Sequence, residues 1–471
     1  MPLPSFVPPP PLTWALNASD RDRLLSLFYV YFFTAHPFLV PKPFYAAQQY
    51  PHYLDLVVCF AGQHYATSMP GALGLQQAVS SAMSEPDEQT PCRVQALVLY
   101  AIILHVRYQP KEAGSCITRA ANIAMHLGMN EPAFARANSA GTSVVEESLR
   151  RTWWELYIVD IYFAAIHRRP ASHAASAKPL PFLPCAQALY EAGECDQNPL
   201  TLRTFEDRVF APEPQASFST VCFRIDAIRI MGRVGAMASQ NDASPDNIQA
   251  LDNALAGWGY NLPFWCRDVI GPSGDVDLLL LEARCFIACA TIILHFPRSD
   301  MPDTVPSAKD VACANSHTQQ LAPSSRHHTV KAIAASKDLA NLATVPWPLD
   351  RHSPFFVCGL ALGCIVQLAA ASVHVHRGGL DCLQQHRDRV VLMLGALQRL
   401  GEQWMLAQNV ARCLKAVAET IFSMHGDSAS SPRAASFQDS ALADSDSMEH
   451  NPLWFDLFSM DEMPDGILDM L

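Results

Sequence analysis

Fourteen cysteines, seventeen histidines and forty-five carboxylates give this 471-residue chain the raw material for metal, redox or nucleophilic chemistry. Their spacing withholds most of it. No two cysteines stand as C-x-x-C, so a zinc ribbon or cluster is not expected among them. The nearest pair, Cys285 and Cys289, shares one helix face; buried thiols pack as small hydrophobes, and core packing is the better reading. His374 and His376 are two apart, which on a helix turns them about 200° from each other and away from a common metal. His327-His328 falls in a polar stretch and reads as solvated. There is no G-x-G-x-x-G, phosphate loop, G-x-S-x-G or H-E-x-x-H. No catalytic, cofactor-binding or metal-ligating residue is assigned, no cofactor is expected, and the chain is not read as an enzyme.

One carboxylate stands apart. Asp160 lies inside an apolar helical run, where an unpaired charge is costly. A structural pairing with Arg is favoured over catalysis. Arg150 and Arg151 are about ten residues away, roughly 15 Å along a straight helix. Arg168, Arg169 or an Arg from another helix is therefore the expected partner, and Arg150 and Arg151 should brace other segments.

Charge patterning separates a body from a tail. The chain is half hydrophobic and 17% charged, which excludes a mainly disordered protein. Nine carboxylates and no cation follow Arg433, so residues 1–433 carry only −3 of the net −12. Neither part has the basic field that phosphate-backbone binding requires. No secretory leader is read at Met1–Pro11, which with scattered cysteines suits a reducing compartment. Phe355–Val375 is 21 residues without a charge, but Gly359, Gly363, Gln367, Ser372 and His374 favour a helix buried in a core over a membrane span.

The elements that must position these groups are helices. Residues 1–19 form a Pro-rich lead-in. Ser19 is placed to cap a helix from Asp20 to His36, ended by Pro37. Further helices are read at 52–68, 73–83 and 94–106, the third opened by Thr90-Pro91 as cap and first residue. Lys111–Leu127 follows, with Gly128 at a left-handed terminus, and these last two form an αα-hairpin. Ser143-Val-Val-Glu146 matches a capping box, and Glu146–Arg150 and Glu147–Arg151 are i,i+4 pairs in the favoured order. Residues 170–217 read as irregular with short helices. Helices resume at 218–239, 245–257, 275–296, 330–343, 353–375, 380–400 and 403–424, with a mobile loop over 301–328. The expected architecture is all-α: a large multi-helix regulatory domain over 20–424 with at least ten helices and no sheet. A flexible linker over 425–450 and a disordered acidic tail over 451–471 complete it.

Two blocks carry a family resemblance. Val94-Gln95-Ala96-Leu97, then Ala120 through His126-Leu127-Gly128-Met129, is one; Glu146 through Arg150-Arg151-Thr152-Trp153-Trp154 to Asp160 is the other. In order and spacing they resemble the central block of the fungal-specific transcription factor domain, the middle homology region of binuclear zinc-cluster regulators. The core motif spans 90–170, and Arg150, Arg151, Trp153, Trp154 and Asp160 are its structural signature. The family's Gly-Arg-Pro turn stands here as Arg168-Arg169-Pro170, with Arg in place of Gly. No zinc-cluster cysteines precede the domain, so contact with DNA is expected only indirectly or through a missing N-terminal domain.

The resemblance implies a nuclear regulator, an activator of a metabolic or secondary-metabolite gene cluster. A co-regulator or dominant-negative partner lacking its own DNA reader, and a helical small-molecule-binding protein or enzyme, stay open as alternatives. Homo- or heterodimerisation with a zinc-cluster regulator is possible on this basis, and no membrane partner is expected. The tail interleaves Trp454, Phe455, Leu457 and Phe458 with carboxylates, the composition of an activation segment that recruits transcriptional coactivators.

Overall fold

The computed structural model describes residues 17–66, 72–195, 198–210, 218–240, 244–301, 325–377 and 380–423. The tail residues Trp454, Phe455, Leu457 and Phe458, and the linker before them, lie outside these. Among the described residues there is no strand; the only β-type pairing is an isolated bridge between Ile270 and Val276. The all-α expectation holds.

The chain opens with α1 (Ala18–Leu27), capped by Asn17, whose side chain accepts from the Asp20 amide 2.8 Å away. Ser19, the expected cap, sits inside the first turn. The helix then widens into a π turn over Phe28–Phe32. Phe28, Tyr29, Phe32 and Phe33 of this stretch all enter the core. Short α2 (Lys42–Tyr45) leads to α3 (His52–Gln63) and α4 (Ala72–Ser84). Gly62 lets α1 cross α3 closely: a Cβ there would lie 2.1 Å from the Leu24 carbonyl oxygen.

The hairpin of α5 (Pro91–Val106) and α6 (Pro110–Leu127) forms as expected. Thr90 accepts from the Arg93 amide, and Gly128 ends α6 at φ 73°. After α7 (Phe134–Ala137) comes α8 (Ser143–Ile166), buried along nearly its whole length. The irregular stretch holds α9 (Gln187–Ala192) and α10 (Leu202–Asp207). The second half is α11 (Thr220–Gln240), α12 (Pro245–Tyr260), α13 (Leu278–His295), α14 (Ser325–Leu342), α15 (Phe356–Arg377), α16 (Leu380–Leu400) and α17 (Met405–Ser423).

Packing runs from helix to helix without a break. α5 touches α3, α6 and α8; α8 touches α11; α11 touches α13; α13 touches α14 and α15; α15 touches α16 and α17. One apolar cluster extends from Leu24 to Ile421. Among the described residues two helices, Leu278–Arg298 and Phe356–His374, are long and apolar enough to cross a membrane, but 78% and 89% of their apolar windows are buried inside the structure. The second is the charge-free run noted in the sequence; the first adds a parallel case.

Two local expectations fail for identifiable reasons. His327 and His328 lie on α14, which begins at Ser325, not in a loop. His327 is exposed, as expected, whereas His328 is half-buried and meets His295, Nδ1 to Nδ1 at 2.7 Å. The capping box also does not form. The cap is Thr142, with no side-chain bond, and Glu146 turns instead to Arg150 at 2.8 Å. A charge-assisted pair with a buried guanidinium outweighs a bond to one backbone amide.

Candidate functional site

The motif residues sit on α8, and they work outward in three tiers. At the N-terminal tier, Glu147 is wholly buried and neutralised twice, by Arg150 Nη1 and by Arg151 Nε. Its Oε1 also accepts from the Cys185 amide at 2.9 Å. Arg151 continues across the gap, donating to the carbonyls of Pro37 (3.2 Å) and Cys185 (2.8 Å) and to Gln187 Oε1 (2.6 Å). Its guanidinium lies 4.1 Å above the Tyr190 ring, and Tyr190 donates to the Leu39 carbonyl at 2.8 Å. Trp154 adds a bond from Nε1 to the Phe182 carbonyl at 2.9 Å. Trp153 fills the core on the other face, fully excluded from solvent. From α5, Gln95 donates to Ser148 and Thr152, and Ser148 donates to the Phe38 carbonyl. Backbone groups of Pro37, Phe38, Phe182 and Cys185, in the irregular segments that flank α8, are thus satisfied by its side chains.

The middle tier has no local sequence signature. Glu155 is buried between His36 (Nδ1 to Oε1, 2.7 Å) and Arg224 of α11, which holds it bidentately at 2.7 and 3.0 Å. Arg224 also donates from Nε to Glu282 of α13. The far nitrogen of His36 lies 3.1 Å from Ser353 Oγ, just before α15. A carboxylate only accepts, so His36 Nδ1 carries a proton, and Nε2 accepts from the Ser353 hydroxyl when the ring is neutral. Burial alone would raise the Glu155 carboxyl, but Arg224 and His36 outweigh it and bring it down to about 2. Three helices meet at one guanidinium, and His36 and Ser353 extend the cluster through Glu155.

The C-terminal tier confirms the expected pairing of Asp160. It is fully buried and accepts from Arg169 Nη2 at 3.1 Å, from the Ser172 amide at 2.8 Å and from Ser172 Oγ at 2.7 Å. This fastens the turn after α8 back onto the helix. Arg168, at the Gly position of the family turn, has φ 48°. A side chain in the left-handed region costs about 1–2 kcal/mol. Arg168→Gly is therefore expected to raise stability by the order of 1 kcal/mol, read as a shift of the urea midpoint to higher concentration with unchanged slope. A lower midpoint would show that contacts of the Arg168 side chain outweigh the backbone strain.

Chemically, these tiers are a brace. Each buried charge faces an opposite charge, and among the described residues no group of three His, Cys, Asp or Glu could hold a metal ion. Cys285 and Cys289 lie 4.0 Å apart, both buried among apolar side chains, as the packing reading expects. His374 stacks on His386 with centroids 5.2 Å apart. Sequence reasoning missed His36, Glu155, Arg224 and Glu282. A signal existed: Arg224 and Glu282 interrupt the apolar runs of α11 and α13, and a charge there must find a partner.

Comparisons with known proteins agree with this geometry. Residues 25–253 match the family described as fungal specific transcription factor domain. The chain is 28% identical over 405 residues to the C6 finger domain transcription factor iacK of Pestalotiopsis fici, a match covering 85% of this chain and 59% of that protein. No solved structure matches.

Proposed function

We propose that this protein is a fungal transcription regulator acting in the nucleus, with the helical body, whose residues 25–253 match the fungal-specific transcription factor domain, as its regulatory domain and residues 451–471 as an activation segment. The carrying observation is the match to that domain, supported by the similarity of 85% of the chain to a protein named as a C6 finger transcription factor. The chain spans 59% of that relative's length, and contact with DNA is proposed to come through a zinc-cluster partner or segment. Control of a metabolic or secondary-metabolite gene cluster is part of the same proposal.

What supports the activating role is composition. Residues 451–471 place Trp454, Phe455, Leu457 and Phe458 among five carboxylates without a cation. Hydrated carboxylates keep such aromatics accessible, and the segment can order as a short amphipathic helix in a coactivator groove. Aromatic side chains dominate contacts of that kind. The test fuses residues 440–471 to an unrelated DNA-binding domain and reads a reporter gene. Activation that is lost when Trp454, Phe455 and Phe458 are all changed to Ala is the expected result. A silent fusion, or one undiminished by the triple change, would remove the activating role.

A further inference from the structure

A groove of about 500 Å³ opens where α8, α10, α11 and α12 converge. That volume is within the range of small-molecule sites. Its wall is formed by Tyr157, Ile230, Ala254 and Trp258, and Asn253 and Asn261 also line it. Three guanidinium groups, Arg208, Arg229 and Arg233, face two carboxylates, Glu206 and Asp226, leaving a cationic excess in an otherwise acidic chain.

The cations are unequally engaged. Arg208 is held in place: its guanidinium stacks 3.5 Å from the Phe205 ring, Nη1 donates to the Phe205 carbonyl at 2.6 Å, and its buried Nε meets no acceptor. Its nearest charge is distant, Asp226 at 3.8 Å. Arg229 is held by Glu206 at 2.7 Å and only loosely by Asp226 at 3.7 Å. Burial raises the Asp226 carboxyl even beside Arg208 and Arg229, so this group offers the cations a weakened counter-charge. Arg233 is exposed at the groove. Trp258 is fixed by its Nε1 bond to the Phe223 carbonyl at 3.3 Å, giving a rigid aromatic wall.

We propose that this groove binds a small aromatic monocarboxylic acid, its carboxylate taken by Arg233 and Arg229 and its ring laid against Trp258 and Ile230. One negative charge matches the excess, and the planar fork of arginine suits a carboxylate. Glu206 is then an internal competitor that occupies Arg229 until the ligand displaces it. Because Tyr157 belongs to α8 and the other lining residues to α10, α11, α12 and the turns just after α10 and α12, an occupant would tie the motif helix to the helices beside it. The inference goes beyond the regulatory role and rests on binding alone, so a silent reporter and a silent titration report on different things.

The test is calorimetric titration of the full chain at pH 7 and low salt with 2-naphthoate, and with 2-naphthamide as the neutral isostere. The acid should bind saturably and the amide about tenfold more weakly or not at all. Arg233→Gln should weaken the acid at least about fivefold without moving the melting temperature of the unliganded protein. Glu206→Gln should tighten it several-fold by freeing Arg229, an effect that a merely structural ion pair would not produce. Equal affinity for acid and amide, no binding of the acid to either wild type or Glu206→Gln at millimolar concentration, or an affinity unmoved by both substitutions would overturn the proposal.

Discussion

Arg224→Leu is expected to destabilise the folded body by about 3–5 kcal/mol at pH 7, enough to leave a marginal domain largely unfolded. The guanidinium is the one cation between Glu155 and Glu282, and both carboxylates are buried. Removing it leaves two charges in a dry interior with only His36 near one of them. The pH response should change sign as well. In the wild type, the Glu155 carboxyl is held at about 2, below its ordinary value, by Arg224 and His36 acting against burial. Its contribution is therefore complete above the unfolded value and is lost as pH falls from about 4.5 through 2. In Arg224→Leu the uncompensated carboxyls are pushed upward, so stability should rise as pH falls from 7 toward 5. Urea unfolding at pH 7 and pH 5 separates the two cases. Adding Glu155→Gln and Glu282→Gln to Arg224→Leu should recover much of the loss, because an apolar or neutral replacement of a whole buried ion cluster is often tolerated. A single substitution with an unchanged midpoint would show that the cluster contributes nothing to stability.

The second large effect is expected at the other end of the motif helix. Asp160→Ala removes the acceptor for Arg169 and for both the amide and hydroxyl of Ser172. Three charge-assisted bonds are lost from a fully buried carboxylate, and the cost should be about 3 kcal/mol. It stays at the lower end of the range for buried pairs because Arg169 is 22% exposed and can turn to water. Asp160→Asn keeps an acceptor for Ser172 and should cost about half as much. Arg169→Gln should cost about 1 kcal/mol, since the two Ser172 bonds remain. Calorimetric melting of the three variants tests the order; equal melting temperatures for Asp160→Ala and the wild type would show that the turn holds without its carboxylate.

What the sequence disclosed was set by distance along the chain. Thr90 and Gly128 act on their own helix ends, and both perform as their types require. Helix rise excluded Arg150 and Arg151 as the partner of Asp160 and left Arg168, Arg169 or an Arg from another helix; Arg169 is the one. The capping box misled because Glu146 had two possible partners within four residues, and only the fold shows Arg150 buried beside it. The π turn at Phe28–Phe32 was hidden because five apolar residues in a row carry no period. The Glu155 cluster joins residues 119, 69 and 58 positions apart or more, and no spacing rule reaches that far. The groove residues come from four helices and the turns that follow two of them; Asp226, Arg229, Ile230 and Arg233 stand at helical spacing on α11, but no spacing rule says that this face meets Tyr157 and Trp258.

The Arg224 cluster also bears on how this protein can be cut and recombined. The matched domain ends at residue 253, yet Glu282 and Ser353, which complete the cluster, lie beyond it. So does α13, the helix against which α11 packs. A fragment cloned as 25–253 would retain a buried guanidinium with half its counter-charge and an apolar helix face turned to water. A chimera exchanging that stretch between relatives would pair one parent's Arg224 with another parent's helices. A piece meant to be moved between proteins and still fold is therefore expected to need at least α13 and Ser353 in addition to the matched stretch.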